Sequence, residues 1–205
     1  RRSRQIMSAT GQPPKHDRVT GLFSRQHFLD RVAGTLDDEN RSAPVAVLLL
    51  QPDNLEELMS GIGAGGIDHL MSRMGETIAS RLDETDVAAR IDDHSFGILA
   101  RRDSEQALTD LAEEILRQIE NAQFDTNAHP SVSTGLCLID DSHEDANGII
   151  ARARTACDTA TAHGGRRVHT HFAEADSEEI EVPIEDDLPQ RIKAALLNDA
   201  FVIQY

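Results

Sequence analysis

The sequence contains few aromatic residues and no long apolar run. Aromatics make up 3% of its 205 residues and tryptophan is absent, so aliphatic side chains have to build a core from the 39% that is hydrophobic. No apolar stretch approaches the roughly 20 residues that span a membrane, and none has the form of a signal peptide. We therefore expect a cytoplasmic protein without a membrane segment, folded as one full domain plus flanking pieces or as two small domains.

Cysteine and positive charge are also scarce. Cys137 and Cys157 lie in no C-x-x-C or metal-ligand spacing, so we expect both to be buried and to pack as small hydrophobes. Acidic residues outnumber basic ones by 36 to 20, which gives a formal net charge of −16. Nucleic acid and anionic lipid both require a positive surface, so neither is expected as a partner. Lys15 and Lys193 are the only lysines, and the other basic residues are arginines. Such an acidic, lysine-poor surface suits a saline habitat, or it reflects ordinary surface solubility.

The spacing of apolar residues predicts a mixed fold. Predicted helices cover residues 24–38, 66–82, 104–122 and 144–165. Predicted strands cover 43–52, 87–91, 95–101, 129–140 and 166–172. We expect Ser24 and Ser104 to cap their helices, and Gly164 and Gly165 to end the last one. This order predicts an α/β sandwich with a mainly antiparallel sheet and helices packed on it.

Some side chains and segments have a simple structural interpretation. The apolar stripe of the second helix is expected in the core rather than at a cofactor: Ile67, Leu70, Met71, Met74, Ile78 and Leu82. Residues 1–14 are polar with a Pro pair and are interpreted as the tail of a preceding domain and a linker. The acidic run 173–187 is interpreted as a solvated linker, and 188–205 as a helix followed by the start of a strand. We expect both ends to continue into a longer protein.

Four stretches, taken in order, carry a resemblance to a known family: "DRVTGLFSR" (17–25), "LLLQPDNLEELMSGIGAGGID" (48–68), "ARIDDHSF" (89–96) and "ARARTACDTATAHGGRRV" (151–168). Together they resemble the GGDEF domain of diguanylate cyclases. They resemble, respectively, the D-x-L-T-G-L-x-N-R entry motif, the first strand with its following loop, the A-R-x-G-G-D-E-F signature, and the closing A-D-x-A-L-Y-x-A-K-x-x-G-R-N-x-V pattern. The resemblance covers residues 15–172 and implies a nucleotidyl-cyclase-like α+β fold.

A second resemblance concerns the domain organisation. Residues 188–205 resemble the opening of an EAL domain, the phosphodiesterase fold that degrades cyclic di-GMP. The implied parent protein is a tandem GGDEF–EAL protein with a sensor domain on the N-terminal side. The segment "GIGAGGID", 61–68, is similar to that of FimX-like regulators, in which a degenerate GGDEF domain precedes an EAL domain that acts as a cyclic di-GMP receptor.

The resemblance implies a site whose requirements this sequence does not meet at most positions. In the family two GTP-loaded domains face each other, and the chemistry depends on Mg²⁺, positive charge at the phosphates and close backbone approach at glycines. The metal-binding Asp corresponds to Gln51, and the phosphate-binding Lys to Glu56. The guanine-reading Asn corresponds to Met59, whereas Asp68 keeps a guanine-contacting residue. Two further family positions, an Asp and a His, are Ser60 and Ala64.

The signature itself is replaced almost completely. Its glycines correspond to Asp92 and Asp93, its acidic pair to His94 and Ser95, and only Phe96 is kept. Carboxylates beside a triphosphate add repulsion of roughly 1 kcal/mol per close pair, and they fill the space that glycines leave open. Near the closing pattern, the usual Lys is Thr161.

Three other groups of polar residues have a functional and a structural interpretation. Asp53, Asp92, Asp93 and His94 are candidates for a rewired cation site, or belong to an ordinary exposed turn. The product-inhibition motif R-x-x-D corresponds to "DETD", 83–86, which keeps only Asp86. Arg81 and Arg90 lie nearby, and Arg90 is expected to be the structural arginine of the A-R pair. The late histidines have a spacing that metal sites use, or lie on an exposed edge strand: His163, His169 and His171.

These positions predict a degenerate, catalytically inactive bacterial GGDEF domain that serves as a regulatory or scaffolding module next to an EAL domain. No catalytic residue, metal ion or cofactor is expected, and the residual nucleotide-binding candidates are Asp53 and Asp68. Expected partners are the EAL and sensor domains of the same chain, with a homodimer and a signalling protein as further options. One alternative is a GTP-binding domain that activates the EAL phosphodiesterase, and another is an active cyclase with an altered signature. Mg²⁺ and GTP are cofactors only under these alternatives.

Overall fold

Six strands form one mixed sheet in the computed structural model of the chain, which describes residues 14–38, 41–122, 124, 129–140 and 145–171. The strands are β1 Phe23–Ser24, β2 Val45–Pro52, β3 Val87–Arg90, β4 Phe96–Arg101, β5 Val132–Leu138 and β6 Val168–His171. Their order across the sheet is β1-β3-β4-β2-β5-β6. The pairs β3–β4, β2–β4 and β2–β5 are antiparallel, whereas β1–β3 and β5–β6 are parallel. The prediction of a mainly antiparallel sheet is therefore confirmed.

Helices cover both faces of this sheet. They are α1 Arg25–Leu36, α2 Leu55–Ala79, α3 Glu105–Asn121 and α4 Ala146–Ala162. Alternate residues of β2 point to opposite faces, with Leu49 in the core beneath α1 and α4, and Leu48 in the core beneath α2 and α3. Because both faces are buried, β2 requires apolar side chains at consecutive positions, which explains the continuous apolar run in the sequence.

The structure confirms the helix termini predicted at Ser24, at Ser104 and at the Gly164–Gly165 pair. The Ser24 side chain accepts a hydrogen bond from the backbone N–H of His27, and the Ser104 side chain accepts one from Ala107. After α4, Gly164 and Gly165 have φ values of 103° and 67°, a region that side-chain-bearing residues rarely adopt. The glycine pair therefore ends α4 at the expected place.

The second helix begins earlier than its apolar stripe predicted. We expected a loop after β2 and a helix over 66–82, but α2 starts at Leu55 and is interrupted only at Gly63, where φ is 66° and ψ is 176°. Glu56 and Glu57 lie in its first turn, where acidic side chains favour a helix N-terminus. A single glycine absorbs the break, so "GIGAGGID" is part of a kinked helix rather than a loop. The apolar stripe is buried in the core as predicted from Ile67 to Ile78, whereas Leu82 lies beyond the end of α2 and is only partly buried.

Two further differences concern the chain ends and β1. The two-residue strand β1 was not predicted, because two residues are too short to show an alternating pattern. It pairs in parallel with β3, directly before the N-terminus of α1. The linker predicted over 173–187 and the helix and strand predicted over 188–205 lie outside the described residues, as do residues 1–13 of the predicted N-terminal linker.

Helix α4 lies unusually close to β5. A Cβ atom added at Gly135 would overlap the carbonyl oxygen of Ala153 and the backbone nitrogen of Cys157, both in α4. The absence of a side chain at this position therefore sets the distance between helix and sheet. The same contact lets the Cys157 thiol donate a hydrogen bond of 3.3 Å to the carbonyl oxygen of Ser133.

Both cysteines are buried, as the sequence predicted. Cys137 and Cys157 lie in the core beneath α1 and α4, and neither forms a disulfide bond. Burial raises the pKa of the Cys157 thiol to about 12, with smaller contributions from nearby carboxylates. Cys157 therefore remains a neutral thiol at physiological pH.

Replacing Gly135 with alanine should strongly destabilise the fold. The new methyl group overlaps the α4 backbone, which cannot move without disturbing the core, so we expect a loss of about 3 kcal/mol or more in the free energy of unfolding. The measurement is urea denaturation followed by circular dichroism. The matched control is Gly34→Ala in α1, where an added Cβ meets no atom within 4 Å and should stabilise by about 0.5–1 kcal/mol. Equal effects at both positions would contradict the close-approach interpretation.

Candidate functional site

The turn between β3 and β4 is held in place by Arg90. Its guanidinium donates a hydrogen bond of 2.7 Å to the carbonyl oxygen of Asp93 and one of 3.2 Å to that of Asp92. A third contact of 3.5 Å reaches Oδ1 of Asp17. The side chain is 12% exposed. Arg90 is therefore the structural arginine that the sequence predicted.

The entry motif forms a compact turn beside this arginine. Asp17 Oδ1 accepts hydrogen bonds from the backbone N–H and the hydroxyl of Thr20, each of 2.8 Å. Gly21 has a φ of 73°, which explains the glycine of the motif. Burial acts to raise the pKa of Asp17, but the Thr20 hydrogen bonds and the charge of Arg90 outweigh it and lower the pKa.

Asp92, which stands at the first glycine position of the signature, is paired with α4. Asp92 Oδ2 accepts a hydrogen bond of 2.7 Å from the Arg154 guanidinium, and Asp92 Oδ1 accepts one of 3.1 Å from the backbone N–H of His94. Burial acts to raise the pKa of Asp92, but hydrogen bonds from Ser95, His94 and Arg154 lower it overall. In the closing A-D pattern, Arg154 stands where the Asp would be. A carboxylate at a glycine position thus meets a cation at an aspartate position.

The residue at the metal-binding position is also engaged with α4. The Gln51 side-chain amide, at the end of β2, donates a hydrogen bond of 3.1 Å to Asp158 Oδ1. Gln51 has no carboxylate, and its amide orientation is set by this contact. A neutral amide oxygen is a weaker ligand for Mg²⁺ than a carboxylate.

Asp53 connects three separate segments. Its Oδ1 accepts a hydrogen bond of 3.0 Å from the Thr161 hydroxyl in α4, and its Oδ2 accepts bonds of 3.2 Å from Ser131 and 3.1 Å from the Arg166 backbone N–H. The same carboxylate occupies the space in which a Cβ at Gly165 would lie. Asp53 is therefore used to join the end of β2 to the segments before β5 and β6.

These contacts form one row along α4, which we call the α4 stripe: Arg154, Asp158 and Thr161. Their spacings of four and three residues place them on one side of the helix. Along the stripe they contact, in turn, Asp92, Gln51 and Asp53. Hydrogen bonds between side chains of this domain therefore occupy the part of the site where the resemblance implies phosphate and metal.

The rewired cation site finds no support in this geometry. Asp53 is engaged by Ser131, Thr161 and Arg166, whereas Asp92 faces Arg154. In the part of the chain that the structure describes, no group of three or more His, Cys, Asp or Glu side chains is arranged to hold a metal ion.

A pocket remains open beside the turn. It has a volume of about 290 Å³, and its lining consists of Met59, Ile67, Asp68, Arg90, Asp93 and His94. Met59 is 47% exposed, and the Asp68 side chain is 63% exposed with its carboxylate 4.0 Å from Arg90. The pocket combines apolar surface with a carboxylate that faces solvent, an arrangement that suits a flat ring bearing N–H donors. Both positions that the resemblance assigns to guanine reading therefore line the same cavity.

Comparison with known proteins identifies the family. The family model for the diguanylate cyclase GGDEF domain matches residues 14–167. The chain belongs to the GGDEF domain family. A curated relative of this GGDEF domain is the cyclic di-GMP phosphodiesterase PdeR of Escherichia coli, 28% identical over 192 residues that cover 92% of this chain and 28% of PdeR. The chain spans less than a third of the length of the first curated relatives it matches.

Solved GGDEF domains share the fold. The FimX GGDEF domain of Pseudomonas aeruginosa matches with a TM-score of 0.70 and 24% identity, over 76% of this chain and 99% of that one. The GGDEF domain of DgcB from Caulobacter crescentus, solved with cyclic di-GMP, matches with a TM-score of 0.72 and 18% identity, over 79% and 98% of the two chains. None of the helices among the described residues is both long and apolar enough to cross a membrane.

In this GGDEF domain, the residue kept from the inhibition motif is buried in an ion pair. The Asp86 side chain is 0% exposed, and Arg102 donates to its two carboxylate oxygens at 2.9 and 2.7 Å. The hydrogen bonds with Asp86 raise the pKa of Arg102. Sequence analysis missed Arg102 because only folding of the β3–β4 hairpin brings it beside Asp86. Arg81, the other candidate, lies 3.9 Å from Glu114.

The late histidines of the GGDEF domain lie near the edge strand β6. The rings of His163 and His169 are nearly parallel, with centroids 6.4 Å apart, and His163 Nδ1 lies 2.8 Å from the carbonyl oxygen of Thr159. Among the described strands β6 lies at the edge of the sheet, so the edge position predicted for His169 and His171 is confirmed, but this strand is half-buried rather than exposed and His163 follows α4 instead. Within the described ranges, no carboxylate or cysteine completes a three-residue metal site with them.

The Asp92–Arg154 pair should show a pH-dependent coupling energy. We expect the double-mutant cycle with Asp92→Asn and Arg154→Gln to give about 0.5 kcal/mol at pH 7, since both side chains remain partly in water. The folded-state pKa of Asp92 is lowered, so this stabilisation is present above the unfolded value of about 3.9 and is lost as pH falls through the folded pKa. Urea denaturation of the four proteins at both ends of this pH range measures it. A coupling energy that persists in acid would contradict the ion pair.

The two residual nucleotide candidates should differ in their effect on stability. Asp53→Ala removes the acceptor of three hydrogen bonds, so we expect a loss of about 2 kcal/mol in the free energy of unfolding. Asp68→Ala removes an exposed carboxylate and should change stability by less than about 0.5 kcal/mol. Thermal denaturation of both variants checks this. Similar values for the two would mean that Asp53 does not join the segments as described.

Proposed function

We propose that this GGDEF domain makes no cyclic di-GMP and acts as a regulatory module in cyclic di-GMP signalling, beside an EAL domain. The observation that carries the proposal is the 2.7 Å contact between Asp92 and Arg154. It fixes a carboxylate in the turn where the family has a glycine, and it directs that carboxylate to α4. A triphosphate in this place would have to displace an internal ion pair and face a negative side chain.

The remaining requirements of phosphoryl transfer support the same proposal. Such reactions depend on metal ions and on positive charge that neutralises the transferred phosphoryl group. At the corresponding positions the domain has Gln51, which is bound to Asp158, and Glu56, whose charge has the wrong sign. Thr161, at the position of a lysine, donates to Asp53. Three separate requirements are therefore lost, and internal contacts occupy the side chains at two of them.

The regulatory role is supported by the name of a longer relative of this chain. PdeR is named a cyclic di-GMP phosphodiesterase, and this chain corresponds to 28% of its length. In the proposed parent protein, the GGDEF domain sets the position or the dimer contacts of the EAL domain. It transmits changes that arise on its N-terminal side.

A second candidate function is a GTP-binding domain that activates its EAL neighbour. The specific observation in its favour is the open pocket with Asp68 and Met59 in its wall. Asp68 is exposed and retains the acceptor oxygens that a guanine edge requires. Met59 opposes this candidate because its thioether is only a weak acceptor.

Calorimetric titration and a product assay distinguish these functions. Titration of Mg²⁺–GTP into the chain should give flat heats up to millimolar GTP, because Asp92 and Glu56 oppose the phosphates. Chromatography after prolonged incubation should detect no cyclic di-GMP, with a catalytically active diguanylate cyclase as the positive control in the same buffer.

Two variants make the outcome specific. Saturable heat that is lost in Asp68→Ala but kept in Asp158→Ala, without product, would replace the main proposal by the GTP-binding function. Formation of cyclic di-GMP by the unaltered chain would overturn both proposals and support an active cyclase with an altered signature.

A further inference from the structure

Met59 is the only large hydrophobic side chain that is exposed among the residues described in the structure, with 47% of its surface accessible. It lies in the first part of α2, before the break at Gly63. Leu58 is buried there and Ile62 packs against the core, so these two side chains attach this part of the helix to the domain. The Met59 thioether is therefore left at the border between the protein and solvent.

Two other methionines of the same helix provide an internal contrast. Met71 and Met74 follow the break at Gly63, and both are 0% exposed in the core beneath α2 and α3. The three side chains have the same chemistry and differ in their access to solvent. A reagent that attacks sulfur from water reaches Met59 directly, whereas it reaches the other two only when the fold opens.

The charge around Met59 favours an uncharged reagent. Met59 lines its pocket together with Asp68 and Asp93, and Glu56 lies one turn earlier in α2. The whole chain has a formal net charge of −16. Such a surface repels anionic oxidants, whereas hydrogen peroxide is neutral at physiological pH and approaches without this repulsion. Hydrogen peroxide is therefore the oxidant that suits this site.

We propose that Met59 is a modification site at which hydrogen peroxide forms methionine sulfoxide. A lone pair of the thioether sulfur attacks one peroxide oxygen, so a sulfur–oxygen bond forms as the oxygen–oxygen bond breaks. The hydroxide that is released takes the proton from the oxygen bound to sulfur and leaves as water. Sulfur is oxidised by two electrons, and the peroxide is reduced by the same two. The products are one sulfoxide and one water molecule.

Oxidation at this position changes the chemistry of the pocket beside Asp68. The thioether of Met59 is apolar and a weak hydrogen-bond acceptor, whereas a sulfoxide is polar and accepts through its oxygen. Met59 and Ile67 line the same cavity as Asp68, so the reaction turns part of an apolar wall into an acceptor beside an existing carboxylate. The pocket then favours ligands with N–H donors over apolar ones. This change goes beyond the regulatory function proposed above and requires no nucleotide.

Peptide mass spectrometry of the full 205-residue chain tests the site. Protease cleavage before Asp68 places Met59 in one peptide and the two buried methionines, Met71 and Met74, in another. In the folded chain, peroxide should oxidise Met59 at least about 10-fold faster than the buried pair, because the pair reacts only through opening of the fold. In concentrated urea the three rates should converge. Equal rates in the folded chain would overturn the proposal.

Nuclear magnetic resonance of the ¹⁵N-labelled chain tests the effect on the pocket. All proteins carry Met7→Leu, so that the signal changes report on Met59. Peroxide should shift the backbone amides of Ile67, Asp68 and His94, which line the pocket, and leave that of Gly135 unchanged. The matched control adds Met59→Leu, which keeps an apolar side chain of similar size without sulfur and should show no shift. Unshifted pocket amides in the oxidised chain, or equal shifts in the control, would overturn the proposal.

A stability measurement separates a local modification from damage to the fold. The chain that has gained one oxygen should keep its circular dichroism spectrum and its urea midpoint, because the reacting side chain lies outside the core. The cysteines do not compete, since both are buried and the pKa of the Cys157 thiol is raised to about 12. Unfolding after the gain of a single oxygen at Met59 would overturn the proposal of a modification confined to the pocket.

Discussion

The close packing of α4 on β5 determines the rest of the site. Gly135 lets the backbone of the helix rest directly on the sheet, at a distance that excludes even one methyl group. At that height the α4 stripe reaches three points on other elements: the β3–β4 turn, the end of β2 and the segment that follows it. A larger residue at 135 would raise the helix, and all three contacts would lengthen together. Packing at a glycine thus controls polar contacts several residues away from it.

The result is a domain in which the two ends of the candidate site differ. At one end, side chains of the α4 stripe satisfy Asp92, Gln51 and Asp53 by internal hydrogen bonds. At the other, Asp68 and Met59 still line a pocket that faces solvent. A polar side chain stabilises a fold only when it has a hydrogen-bond partner, so the paired side chains of the first end add to stability. The second end retains space for a ligand without the charge that would hold a triphosphate.

The sequence predicted the layers of the fold but not the contacts that close the site. Apolar periodicity was sufficient for the sheet and helices, because burial on two faces leaves a strong pattern such as that of β2. It failed at α2, where glycines concealed a helix with one break at Gly63. The family motifs identified which residues occupy the site, including Asp92. They could not show that Arg154 and Arg102 pair with carboxylates distant along the chain or across a hairpin, because such pairs exist only after folding.

The paired contacts of the α4 stripe also limit how the site can change. Replacing Asp92 with glycine on its own would leave the Arg154 guanidinium without its carboxylate, and replacing Thr161 with lysine would place a long cation where a hydroxyl now donates to Asp53. Each single replacement by the residue of the family pattern therefore costs a contact. Steps taken together would avoid this loss, but they must occur on different elements of the chain. The hydrogen bonds that stabilise the domain thus oppose substitution of these residues one at a time.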